Sequence, residues 1–155
     1  MKYLFKVIIF LLIVLSSGAY GQEAIPQYNL KIKLIEPKKT LEVSQIIQFQ
    51  NNTKTSLQTL YFNDWSHSYS SSKSPLAQRF AEEYDRRFYL GSKTKRGETS
   101  DLKITINGKK TDWYRADNQI DIIKIPLDET LESGDQITIA LTYNIVLPDA
   151  SFTGY

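Results

Sequence analysis

The chain has 155 residues, 19 basic and 17 acidic side chains, 41% hydrophobic residues and no cysteine. That length accommodates one domain with its own core and hardly two. The lack of cysteine excludes a disulfide framework and a thiolate metal site, so the fold must rest on its core alone.

In chain order, Lys2 and Lys6 lead into the apolar run VIIFLLIVL (7–15), and the small-residue stretch SSGAYG (16–21) follows. Charge, apolar run and small residues in that order predict a secretory signal peptide over residues 1–21. The run is shorter than the roughly 20 apolar residues a membrane span requires, so no stable membrane anchor is expected after cleavage. Cleavage after Gly21, with Ala19 at the minus-three position, is the preferred site, and cleavage after Ala19 is the alternative. The expected location is periplasmic or extracellular. Removing Lys2 and Lys6 from the 19 basic side chains leaves 17 against 17 acidic ones. A neutral mature chain gives no support to a nucleic-acid partner.

Residues 22–155 read as a single β-sandwich domain, incomplete at its C-terminal end. YNLKIKLIE (28–36) alternates Tyr28, Leu30, Ile32 and Leu34 with Asn29, Lys31 and Lys33, the period of a strand with one buried face. TLEVSQIIQFQ (40–50) repeats the pattern after a turn at EPKK (36–39), and LQTLYF (57–62) predicts a third strand. The alternation stops at Asn63-Asp64. Ser74-Pro75 then supplies an N-cap with proline at the first helical position, and Leu76, Phe80, Tyr84 and Phe88 recur every four residues. One inserted helix over about 75–89, closed by Gly91, is the expectation. Residues 73–96 carry seven basic and three acidic side chains, read as a solvated helix face and its loop. Strands resume at LKITINGKKTDWYR (102–115), with Asn107-Gly108 as a hairpin turn. QIDIIKIPL (119–127) and QITIALTYNIV (136–146) complete about seven strands. The fold class is all-β, an antiparallel sandwich with one inserted helix.

LYFNDWSHSY (60–69) places Asp64 three positions before His67, the one histidine of the chain. A carboxylate can orient an imidazole and raise its basicity, but a lone histidine cannot furnish a zinc hydrolase site. No Gly-rich phosphate loop and no Gly-x-Ser-x-Gly elbow is present. Glu82-Glu83 and Asp128-Glu129 are paired acids of the kind that point to solvent, and Trp65, Tyr69, Trp113 and Tyr114 are candidates for a sugar-binding ledge or, more simply, for packing. The residues therefore yield no catalytic, cofactor or metal position in this chain.

LYFNDWSHSYSSSKSPLAQRF (60–80) resembles a strand-to-helix passage in the N-terminal domain of exported bacterial zinc aminopeptidases of the alanyl aminopeptidase type, peptidase family M1. IPLDETLESGDQITIALTYNIVLP (125–148) is similar to the turn and strand near the end of that domain, and FTGY (152–155) fits the tail toward its last strands. The likeness covers residues 28–155 and rests on structural rather than catalytic motifs. It implies a non-catalytic sandwich domain that packs on a thermolysin-like catalytic domain and borders its substrate cleft. Zinc, its His-Glu-x-x-His ligands and the peptide substrate would then belong to the catalytic domain of the same polypeptide, absent from this chain. The alternative is an independent exported sandwich that binds a glycan or cell-envelope partner. A free-standing enzyme built on Asp64 and His67 ranks last, for want of a nucleophile or metal shell.

Overall fold

The computed structural model describes residues 25–116 and 118–153; the expected signal peptide lies outside them. Among the described residues eight strands form two antiparallel sheets: β1 (Gln27–Ile35), β2 (Thr40–Gln50), β3 (Leu57–Asn63), β4 (Glu98–Ile106), β5 (Lys109–Lys110), β6 (Tyr114–Ala116), β7 (Gln119–Leu131) and β8 (Gln136–Val146). The larger sheet has the order β1-β2-β8-β4-β5 and the smaller one β3-β7-β6. The architecture is the expected all-β sandwich, with helical segments inserted between β3 and β4.

The core lies where the two sheets face each other. Ile47, Ile104, Ile139 and Leu141 from the larger sheet meet Leu60, Ile123 and Ile125 from the smaller, each nearly or fully buried. Alternation explains the choice: on β2, Val43 and Ile47 point inward while Glu42, Ser44 and Gln48 point out. Asn107 and Gly108 both have positive φ, 50° and 79°, as the tight turn joining β4 to β5 requires.

The sheets differ in width, five strands against three, and this leaves part of the larger one uncovered. The register pairs Tyr28 with Ile47, Ile32 with Val43 and Leu34 with Leu41. Tyr28, Leu30, Ile32 and Leu34 therefore share the core-facing side with buried residues of β2, yet they remain 65%, 51%, 55% and 51% exposed. Their pattern did predict a face; the structure shows that this face projects past the smaller sheet.

The inserted helix is interrupted. Helix α1 (Pro75–Glu82) begins at Ser74, whose Oγ accepts from the Ala77 amide at 3.1 Å. It ends in a Schellman motif, with the Asp85 amide donating to the Phe80 carbonyl at 2.8 Å and the Tyr84 amide to Ala81 at 3.1 Å. Tyr84 takes the left-handed position, φ 62°, and its side chain swings into solvent, 90% exposed. Two acids in the last turn, Glu82 and Glu83, oppose the helix dipole and favour stopping there. Asp85 then leads into a second turn, α2 (Arg87–Leu90), its Oδ1 accepting from the Arg87 amide at 3.0 Å. Three members of the four-residue stripe, Leu76, Phe80 and Phe88, face inward as the period predicts, and Tyr84 is spent on the break. Gly91, expected to close the helix, follows α2 in extended rather than left-handed geometry, φ −68°.

The chain returns to the sheet at Gly97, where an added Cβ would lie 2.7 Å from both the Val146 carbonyl oxygen and Pro148 Cδ. A third short helix, α3 (Ala150–Thr153), follows β8. At the opposite end of the sandwich, fully buried Asn51 ties the β2–β3 loop down. Its Nδ2 donates to the Thr55 and Leu131 carbonyls, both at 2.9 Å, and its Oδ1 accepts from Thr53 Oγ1 at 2.6 Å. Asn51→Ala strands those carbonyls, and a loss of about 1–3 kcal/mol is expected from denaturant melts. An unchanged midpoint would show that the loop does not depend on this side chain.

Candidate functional site

The sequence singled out Asp64 and His67, and the fold places Asp64 at the start of, and His67 within, a short 3-10 turn, Trp65–Tyr69, that leaves the end of β3. Asp64 caps this turn, its Oδ1 accepting from the His67 amide at 3.3 Å. The same oxygen accepts from Thr99 Oγ1 at 2.6 Å, and Oδ2 pairs with the Arg115 guanidinium. Arg115 also donates Nε to the Ile120 carbonyl at 2.7 Å and lies over the Trp113 ring, 5.1 Å from its centroid. One carboxylate thereby joins β3, β4 and β6 at a single point between the sheets. Sequence reading did not foresee Thr99 or Arg115, because both come from strands distant in the chain and neither belongs to a local motif.

His67 is not engaged by the Asp64 carboxylate through its ring. Its Nδ1 sits 3.2 Å from the Thr99 carbonyl oxygen and 3.3 Å from the Thr99 amide nitrogen, donating to the first in one tautomer and accepting from the second in the other. The Asp64–His67 link runs through the backbone amide, so the arrangement is not a carboxylate–imidazole dyad. Burial holds the His67 pKa below its ordinary 6.5, and the nearby Arg115 charge acts in the same direction. The folded protein thus binds a proton at this imidazole less readily than the unfolded chain. Stability is full above about pH 6.5 and falls as pH drops from there toward the folded-state value. Melts between pH 7.5 and 5 should show this decline, and His67→Gln should flatten it; an unaltered slope in the variant would assign the dependence to other groups.

Beside Asp64 a cleft of about 250 Å³ opens between the sheets. Phe62 and Trp65 form one wall, and Gln45, Leu102, Tyr143 and Ile145 belong to the other. Trp65 stands at the exposed side, 61% accessible. Tyr143 donates its hydroxyl to Gln45 Oε1 at 3.2 Å, and burial together with the Asp64 charge raises its pKa. The cleft is apolar with a few fixed polar groups, suited to holding an apolar side chain. Because the Asp64 carboxylate is already matched by Arg115, Thr99 and the His67 amide, it is not free to serve as a base.

No family model matches the chain, and no curated protein matches it either.

The remaining candidates are dispersed. Tyr69 contacts Phe88 edge-on at 5.9 Å and Trp65 at 6.4 Å, so Tyr69 anchors the insertion while Trp65 turns toward the cleft. Trp113 packs against the core, whereas Tyr114, 53% exposed, stays on the surface of the smaller sheet. Trp65, Tyr69, Trp113 and Tyr114 therefore do not make a common ledge. Glu83 pairs with Arg79 at 3.3 Å, and Glu82, Asp128 and Glu129 are exposed. Among the described residues no three His, Asp or Glu side chains are grouped so as to hold a metal ion.

Proposed function

We propose that this chain is a non-catalytic β-sandwich domain of an exported, aminopeptidase-like zinc metallopeptidase, serving to pack against the catalytic domain and border its substrate cleft. The observation that supports packing is the uncovered core-facing row of β1: four large apolar side chains on the inner side of a sheet, each at least half exposed. A self-sufficient sandwich would bury such a row against its second sheet. The metallopeptidase assignment rests on the resemblance of residues 28–155, and zinc and peptide binding would be the work of the other domain.

Genomic sequence directly downstream tests the reading. A continuing frame with His-Glu-x-x-His and a later glutamate is expected, and in the joined protein Ile32→Asp should loosen the contact between the domains, seen as separate melting transitions. A stop codon with no such frame beyond it would end the proposal.

A second reading, an exported module for a glycan or envelope partner, draws on Tyr61 and Tyr114. They flank Lys124 in register on the outer side of the smaller sheet, 64% and 53% exposed. Soluble-oligosaccharide titration monitored by tyrosine and tryptophan fluorescence separates the two, since a purely packing domain gives no response.

A further inference from the structure

The two long sheet edges are defended differently. β1 carries Lys31 and Lys33 on its outward face, the charged guards that keep an edge from recruiting foreign strands. β3 (LQTLYFN) has no charged residue and no proline, and among the described residues it is hydrogen-bonded on one side only, to β7. β3 is reached from β2 through residues 51–56, and β6 is reached from β5 through 111–113. The free side of β3 therefore looks toward the part of the larger sheet formed by β2 and β1, where the uncovered row lies.

We infer that the free edge of β3 takes up an extended segment of the polypeptide against which this domain packs, whose alternate apolar side chains cover Leu30, Ile32 and Leu34. This rests on the packing role proposed above and names its mode. A strand added at β3 lies across the inner face of the larger sheet, at the roughly 10 Å spacing of packed sheets. One event then pairs the open backbone of β3 and buries the apolar row. A strand added at β1 would only widen the larger sheet and leave that row exposed. The requirement for alternation is physical, because residues facing the floor must be apolar while those between them face outward beside Tyr61.

The area argues for a tethered segment rather than an independent partner. The four side chains expose on the order of 400 Å², about half of what each partner buries in a stable free-standing complex. A segment carried by the same polypeptide reaches millimolar effective concentration and can make use of a patch of this size. The cleft between Trp65 and Tyr143 adjoins the row, since Tyr143 pairs with Val43, and Val43 pairs with Ile32. It offers one deeper socket at the end of the trough.

The test uses the full chain with a peptide alternating valine and threonine, matched in length to β3, appended through a glycine-serine linker. Hydrogen exchange resolved by residue is measured with and without it, alongside binding of a hydrophobic dye. Protection of β3 amides by about tenfold or more, the level expected when the docked form dominates, and loss of dye binding are the expected results. Both should vanish with Ile32→Asp and with a peptide of equal composition whose valines are contiguous. Protection confined to β1 amides, or none in β3, would overturn strand addition at β3. In that case dye binding that is sensitive to Ile32→Asp leaves the packing role standing, whereas dye binding indifferent to Ile32→Asp removes the packing role as well.

Discussion

Asp64→Ala should be among the most destabilising single substitutions in this domain, by about 3–5 kcal/mol, because it leaves the Arg115 guanidinium buried without its counter-charge. The side chains of Asp64 and Arg115 are only 8% and 14% exposed, so solvent does little to compensate the survivor. Thr99 Oγ1 loses its acceptor at the same time, and the turn at Trp65–Tyr69 loses its cap. Against a total stability of 5–15 kcal/mol for a domain of this size, such a loss is a large fraction. Chemical denaturation of the variant should show a much earlier midpoint with a similar slope. Asp64→Asn, which keeps the acceptor for Thr99 but not the charge, should fall between the two. If Asp64→Ala melted with the parent chain, the ion pair would have no structural weight, and the buried carboxylate would have to be explained by a ligand instead.

That cluster also marks the boundary of what the sequence can disclose. The strands were legible because their period is local: Val43 and Ile47 on β2, or Ile137, Ile139 and Leu141 on β8, announce a buried face whatever lies against it. The Asn107-Gly108 turn and the Ser74 cap were legible for the same reason, each being set by two or three adjacent residues. What joins Asp64 to Thr99 and Arg115 is separation of 35 and 51 residues closed by the pairing of strands, and no local pattern encodes it. The fate of β1 was hidden for a different reason. Alternation says that Leu30 and Ile32 share a face, but whether that face is covered depends on how many strands the opposing sheet supplies. The break in the inserted helix lies between these cases. Two successive acids hint at it, but the decisive feature is that Tyr84 adopts a left-handed backbone more often reserved for glycine.

The uncovered row and the Asp64 cluster have different consequences for what can be changed. Ile32 or Leu34 can be made polar in the isolated domain at little cost, because these side chains are already half in water. Asp64 and Arg115 cannot be changed singly, since either change leaves the other's charge without this buried partner. Surface substitutions on β1 thus report on docking, and substitutions at the cluster report on folding.

Phe88→Ala is expected to release the insertion while leaving the sandwich intact. Phe88 is 1% exposed and belongs with Ala77, Tyr69 and Phe80 to a small cluster separate from the main core. Truncating a buried phenylalanine costs about 3–5 kcal/mol, which a satellite of two buried residues and two partners cannot absorb. The Arg96 guanidinium, 5.7 Å from the ring centroid, would lose that contact too. The cost falls on local rather than global stability, because this cluster does not belong to the core shared by the two sheets. Arg86, Arg87, Lys93, Lys95 and Arg96 should become fast trypsin sites, and amide exchange should accelerate from Ser70 to Arg96 while β2, β7 and β8 stay protected. Ile139→Ala, of comparable burial but in the main core, supplies the contrast: it should lower the melting temperature of the whole domain and expose no preferred cleavage region. Equal sensitivity of both variants throughout the chain would mean that insertion and sandwich unfold as one unit.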